Sequence, residues 1–155
     1  MEQIAFALTI DQPFASLMAM GIKKVENRNW SPDESLIGRR IAIHAGRTYD
    51  YLGSYMVKND HGIICHAAQF PRGAVVATAT LKEVVTHLDD PWFRGPYGWI
   101  FDEIVMIEPL ACSGRRHLWP LADELSQRLR QALDFPLQPW HGVRQESQIR
   151  NGKLI

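Results

Sequence analysis

The chain has 155 residues, 46% of them hydrophobic, with 17 basic and 17 acidic side chains and a formal net charge of zero. The length suits one domain with a real core, and the composition excludes a disordered chain. Neutrality excludes a protein that coats long duplex tracts, since such proteins neutralise many phosphates, so any nucleic-acid contact must come from a local patch. No apolar run approaches the roughly 18 residues of a membrane span, and the N-terminus carries no basic flank ahead of an apolar region, so a cytoplasmic location and no membrane partner are expected. Cys65 and Cys112 lack CxxC spacing and read as two free thiols.

In chain order, Ala5 to Ile10 reads as a first strand. Pro13 then suits the first position of a helix, with Asp11 or Gln12 at its mouth. Phe14, Leu17 and Met18 form one apolar stripe, and Gly21 stands where a left-handed residue would stop a helix of about two turns. Lys23 to Arg28 is a charged strand-like run, in which alternation puts Lys24, Glu26 and Arg28 on one face and Lys23, Val25 and Asn27 on the other, unless a bulge brings Lys23 round. The plain account of those charges is a solvated edge strand that deters edge pairing. A carboxylate between cations would instead hold the basic side chains in place.

After a polar loop at Ser31 to Leu36, Gly38-Arg39-Arg40 leads into a second strand, Ile41 to Ala45. Gly46-Arg47-Thr48 is expected to open a helix carrying Tyr51, Leu52, Tyr55 and Met56 and ended by Asn59 to Gly62. Ile63 to Phe70 is ambiguous between helix and coil, and Phe70 to Gly73 is a turn. Ala74 to Val85 is a long central strand, Leu88 to Pro96 a loop, Tyr97 to Ile107 another strand and Leu110 to Cys112 a short last one. Pro120 is expected to start a helix whose stripe is Leu121, Leu125, Leu129 and Ala132 or Leu133, stopped by Phe135 to Pro139. Residues 140–155, with Arg144, Arg150 and Lys153, read as a solvated tail. The segments sum to an α+β domain of five or six strands around one core with helices outside.

The run Gln12-Pro13-Phe14-Ala15, then Gly21, Lys23, Glu26, Arg28 and Trp30, resembles the opening of the ASCH domain, a relative of the PUA-like RNA-binding barrels. Further matches are Gly38 with Ile41 to Ala45, Phe70 to Gly73 before the long strand, and Tyr97-Gly98-Trp99. The resemblance spans residues 5–110 and implies a PUA-like small β-barrel with peripheral helices, residues 117–155 adding a helix and tail to one domain of 1–155. It implies RNA or single-stranded nucleic acid as partner, a modified nucleoside included.

A pocket for a base needs a stacking surface, groups that read an edge, and a cation for phosphate. Trp30, Tyr97 and Trp99 are the aromatic candidates, Gln12, Asn27 and His44 the edge readers, and Lys23, Arg28, Arg39, Arg40 and Arg47 the cations, with Pro13 and Glu26 completing the motif. Each has a plainer reading: Trp99 as core, Arg39 and Arg40 as a solvated strand entry, His44 as a satisfied core histidine.

Other chemistries are thinner. His61, Cys65 and His66 lack a second pair at zinc spacing, and neither a G-x-S-x-G elbow nor a phosphate-binding G-x-x-x-x-G-K run is present, so no metal and no cofactor are expected. The enzyme alternative is lysine chemistry, with Lys23 as general base and Glu26 as its partner. The resemblance implies two such activities, a metal-independent ribonuclease using Lys23 or His44 and an N4-acylcytidine amidohydrolase. The amidohydrolase branch uses a threonine, a lysine and a glutamate; its lysine maps to Lys23, but Glu26 stands where its threonine would be. Here Glu26 would have to activate water, with Lys23 stabilising the oxyanion.

Overall fold

The computed structural model describes residues 3–138 and the strand segments 143–145, 149–150 and 153–154. The chain begins with β1 (Phe6–Gln12) and α1 (Phe14–Ala19). Six residues fall far short of the ~12–15 that an isolated helix needs, so α1 depends on its surroundings. Leu17 and Met18 are fully buried beneath it. Gln12 caps it: its Oε1 accepts from the Ser16 amide at 2.9 Å, while Nε2 donates to Ser16 Oγ and to the Pro71 carbonyl, both at 2.7 Å. Gly21, at φ +74°, ends the turn.

The chain continues through β2 (Val25–Arg28), β3 (Arg40–Tyr49), α2 (Tyr51–His61), β4 (Ile63–Cys65), β5 (Ala74–Val85) and β6 (Tyr97–Ala111). Then come β7 (Leu118–Pro120), α3 (Asp123–Leu133), β8 (Val143–Gln145), β9 (Ile149–Arg150) and β10 (Lys153–Leu154). A six-stranded sheet runs β2-β6-β5-β3-β1-β7, with β1 parallel to β3 and the other neighbours antiparallel. This is the expected α+β architecture. Residues Ala74 to Ala79 of β5, in the middle of the sheet, are all buried, which explains their nearly continuous apolar sequence.

The sheet curls like a small barrel but no backbone ladder joins β2 to β7 or β1. Side chains cross the seam. Arg28 Nη2 on β2 donates to the Thr9 carbonyl on β1 at 2.6 Å, and Trp30, just past β2, meets His117, just before β7, edge to face at 6.0 Å. Beneath the seam Trp99 is wholly buried, its indole N–H donating to the Trp30 carbonyl at 3.2 Å and its ring edge-on to Trp30.

Several expected boundaries are corrected. Gly46 to Tyr49 does not open a helix; it extends β3, and Asp50 starts α2 instead, its Oδ1 accepting from the Gly53 amide at 2.7 Å. Tyr97 to Ala111 is one continuous strand rather than two, with Pro109 inside it. Pro120 does not start a helix: Leu118–Pro120 is an edge strand on β1, where a missing N–H is tolerated, and α3 begins at Asp123. The expected stripe of α3 does pack inward, Leu129 fully buried with Ile4, Ala7, Ile107 and Trp119. Of the expected tail, three short strands are described, β8 on β4 and β10 on β9; 139–142, 146–148, 151–152 and 155 lie outside the described residues. No described helix is long and apolar enough to cross a membrane.

Candidate functional site

Thr9, in mid-β1, organises the site. Its amide donates to the His117 carbonyl at 2.9 Å and its hydroxyl to the Arg115 carbonyl at 2.6 Å, so one residue pins both ends of the Arg115-Arg116-His117 run between β6 and β7. The Trp119 indole N–H donates to the same hydroxyl at 2.9 Å. His117 sits at φ +62°, a left-handed conformation uncommon for residues other than glycine, which turns the loop back over the sheet. Gly114 lets the loop lie flat on His44, since a Cβ there would fall 2.4 Å from the imidazole.

The result is a cleft of about 420 Å³ whose walls carry Arg28, Arg47, Arg115 and Arg116, together with His44 and His117. The opposing charge is Asp11. Four guanidiniums facing one carboxylate make a local cationic field on a chain of zero net charge. Asp11 reaches solvent at the rim, yet the protein packed behind it, and then the Asp50 carboxylate, raise its carboxyl above the ordinary value against the pull of Arg28. His44 is buried at the cleft floor, with Nε2 3.1 Å from the Cys112 carbonyl and Nδ1 3.1 Å from the Thr9 hydroxyl. Burial holds its pKa below the ordinary imidazole range, the Cys112 carbonyl opposing this by favouring the protonated ring. The neutral ring gives its hydrogen to Cys112, and the single hydroxyl hydrogen of Thr9 then faces two acceptors, His44 Nδ1 and the Arg115 carbonyl.

The sequence-derived candidates divide into three groups. Arg28, His44 and Arg47 line the cleft, while Trp30 and Tyr97 are half-buried beside it, Trp30 against His117 and Tyr97 paired with Arg28 across β2 and β6. A second group is structural. Gln12 and Pro13 are buried, the Gln12 amide spent on capping α1, and Trp99 has no exposed face on which a base could stack. Asn27 clamps the loop between β5 and β6, donating to the Trp92 carbonyl and accepting from the Arg94 and Gly95 amides. Arg40 bonds Thr78 and Glu103, and neither Arg39 nor Arg40 lines the cleft.

Lys23 and Glu26 form the third group. Lys23 precedes β2, so strand alternation does not apply to it; its side chain turns inward and its ammonium donates to the Val25 carbonyl and lies 3.7 Å from Glu26 Oε1. Both side chains are nearly enclosed, at 4% and 11% exposure. Burial lowers the Lys23 pKa, with Glu26 pulling it back up. Neither residue is on the wall of the cationic cleft.

Sequence reasoning missed Thr9, Asp11, Arg115, Arg116 and His117 as members of the site. A signal was present in Gly114-Arg115-Arg116-His117, a glycine followed by three basic residues. Both cysteines are free, and burial pushes the Cys65 thiol up to about 11, which makes it a poor nucleophile. Among the described residues no group of three or more His, Cys, Asp or Glu side chains could hold a metal ion. His61 instead stacks flat on Trp92 at 3.6 Å.

A family profile of the ASCH domain matches residues 8–95. No curated protein gives a significant match. Among solved structures, the crystal structure of ASCH from Zymomonas mobilis superposes with a TM-score of 0.50 at 17% identity, covering 86% of this chain and 96% of that one. Two ZmASCH mutant proteins from the same organism, a serine-to-alanine and a tyrosine-to-phenylalanine, give a TM-score of 0.53 each at 18% and 16% identity. They cover 81% and 85% of this chain, and 94% and 98% of their own. At such identities the likeness concerns the fold.

Proposed function

Because the chain belongs to the ASCH domain family, we propose that it binds RNA or single-stranded nucleic acid, with the arginine cleft as its phosphate site. The observation that carries this reading is the convergence of Arg28, Arg47, Arg115 and Arg116 from two strands and a loop onto one hollow, on a chain of zero net charge. Guanidiniums suit phosphate because their planar forks give paired charge-assisted hydrogen bonds. The cleft is short, so it suits a few nucleotides and not a long duplex track. Trp30 and Tyr97 flank it as partly exposed rings for unpaired bases. In this reading the 155 residues act as one unit, α3 packing on the same sheet that carries the cleft.

The test is a fluorescence anisotropy titration of a labelled single-stranded RNA of about six nucleotides, and of the matched duplex, against wild type, Arg115→Ala and Arg116→Ala. Preference for the single strand, lost in both variants, supports the reading; duplex preference or unaltered affinity counts against it. The enzyme alternative keeps one supporting feature, two histidines, His44 and His117, in the same cleft as the arginines, which is the equipment of metal-free phosphodiester cleavage. Product formation in the same samples with EDTA present decides between ribonuclease and binding module. An amidohydrolase would depend instead on Lys23 and Glu26, outside the cleft.

A further inference from the structure

Helix α2 buries Gly53 and Val57 and turns four large apolar side chains outward, Tyr51, Leu52, Tyr55 and Met56, at 68%, 71%, 63% and 47% exposure. Tyr51, Tyr55 and Lys58 stand at i, i+4 and i+7, so two rings and an ammonium share one stripe along the helix. Large rings grouped on a surface mark a place where something docks.

A series of contacts joins this stripe to the arginine cleft. Arg47 and Gly73 both line the cleft, and a Cβ on Gly73 would fall 3.9 Å from Arg47 Nε, so the Arg47 side chain lies against the residue that follows Arg72. The Arg72 guanidinium sits over the Tyr49 ring at 5.4 Å, and Tyr49 meets Tyr51 ring to ring at 4.8 Å. The Tyr49 hydroxyl is also 3.0 Å from Ser54 Oγ, which ties α2 to the end of β3.

The cations on this route, Arg47, Arg72 and Lys58, are all exposed. The carboxylates at α2 are engaged elsewhere, Asp50 accepting from the Gly53 amide and Asp60 paired with Arg94 at 3.4 Å. Two copies of the chain meeting face to face here would set cation against cation in either direction. A single strand of nucleic acid suits both features, because its phosphates answer the cations and its unpaired bases stack on exposed rings whatever their sequence.

We propose that single-stranded nucleic acid held in the arginine cleft leaves it past Arg47 and Arg72 and runs along α2, with bases stacked on Tyr51 and Tyr55 and a phosphate against Lys58. This extends the nucleic-acid reading and rests on it.

Anisotropy titrations of labelled oligouridylates of about three and about nine nucleotides test the track, the shorter strand filling the cleft alone and the longer one reaching α2. The double variant Tyr51→Ala/Tyr55→Ala is expected to bind the long strand about tenfold or more weakly and the short strand as wild type does. Lys58→Ala, which removes no ring, should make the salt slope for the long strand shallower by about 0.7 and leave that for the short strand unchanged. All three side chains are exposed and alanine favours helix, so the variants keep the fold. Long-strand affinity and slope unaltered in both variants overturn the track, while loss of short-strand binding in Arg115→Ala keeps the cleft standing. Wild type that self-associates in sedimentation, with the double variant monomeric, makes this face a self-interface and also overturns the track. Short-strand binding unaltered in Arg115→Ala, or no wild-type binding of either strand, overturns the cleft reading and the track with it.

Discussion

Arg28 Nη2 lies 2.6 Å from the Thr9 carbonyl, and that bond crosses the seam that no strand ladder closes. One side chain thus staples the barrel and charges the cleft. Arg28→Ala is expected to cost about 1.5–3 kcal/mol of stability, the range for a charge-assisted bond, and to weaken nucleic-acid binding as well. Arg28→Lys should restore part of the affinity and little of the stability, because an ammonium keeps the charge and loses the fork. Urea denaturation and anisotropy on the same preparations separate the two effects.

Lys23, a ligand-binding cation in the motif's reading, makes its contacts inside the protein, with the Val25 carbonyl and Glu26. Enclosed beside Glu26, it is half of a buried pair, and removing one partner strands the other charge. Lys23→Ala should therefore destabilise by about 3–5 kcal/mol. The double variant Lys23→Met/Glu26→Leu should recover most of that loss, which denaturant midpoints would show. A Lys23→Ala protein of wild-type stability would contradict the pairing.

Asp11 is the carboxylate that opposes the arginines, and burial and Asp50 raise its pKa. A raised carboxyl pKa means that the folded state favours the neutral acid, so the ionised form at pH 7 is a penalty that disappears as pH falls through the folded pKa. Asp11→Asn is expected to stabilise slightly and to tighten phosphate binding by about two- to fivefold, as removal of a partly exposed like charge would. Weaker binding by the variant would mean that Asp11 contacts the ligand favourably.

His44 sets an acid limit. Its folded pKa is depressed by burial, so its contribution to stability is fully present above the unfolded value of about 6.5 and is lost as pH falls through the lower folded value. Once protonated, His44 becomes a donor at Nδ1 and releases the Thr9 hydrogen wholly to the Arg115 carbonyl. Melting temperature should fall as pH drops below about 6.5, and His44→Gln should flatten that slope.

How much of this was legible in the sequence follows from where the information lies. The strand β5 and the stripe of α3 were readable because periodicity is local, and Gly21 because a left-handed stop needs only its own residue. Strand β7 and the run of β6 through Pro109 were not, since a proline in a strand is decided by which edge it occupies. The motif pointed to Lys23 and Glu26 but not to which way Lys23 turns, which depends on its lying before the first ladder pair of β2. Arg115 and His117 belong to the site because of Thr9, more than a hundred residues earlier, and no window on the chain contains both.

The most direct test of the central claim is the salt dependence of single-strand binding in wild type and Arg116→Ala. If Arg116 neutralises a phosphate in the cleft, the variant binds more weakly and its slope of log K against log salt is shallower by about 0.7, the value for one contact on a single strand. Equal affinities and parallel slopes would show that the arginine cleft does not hold the nucleic acid.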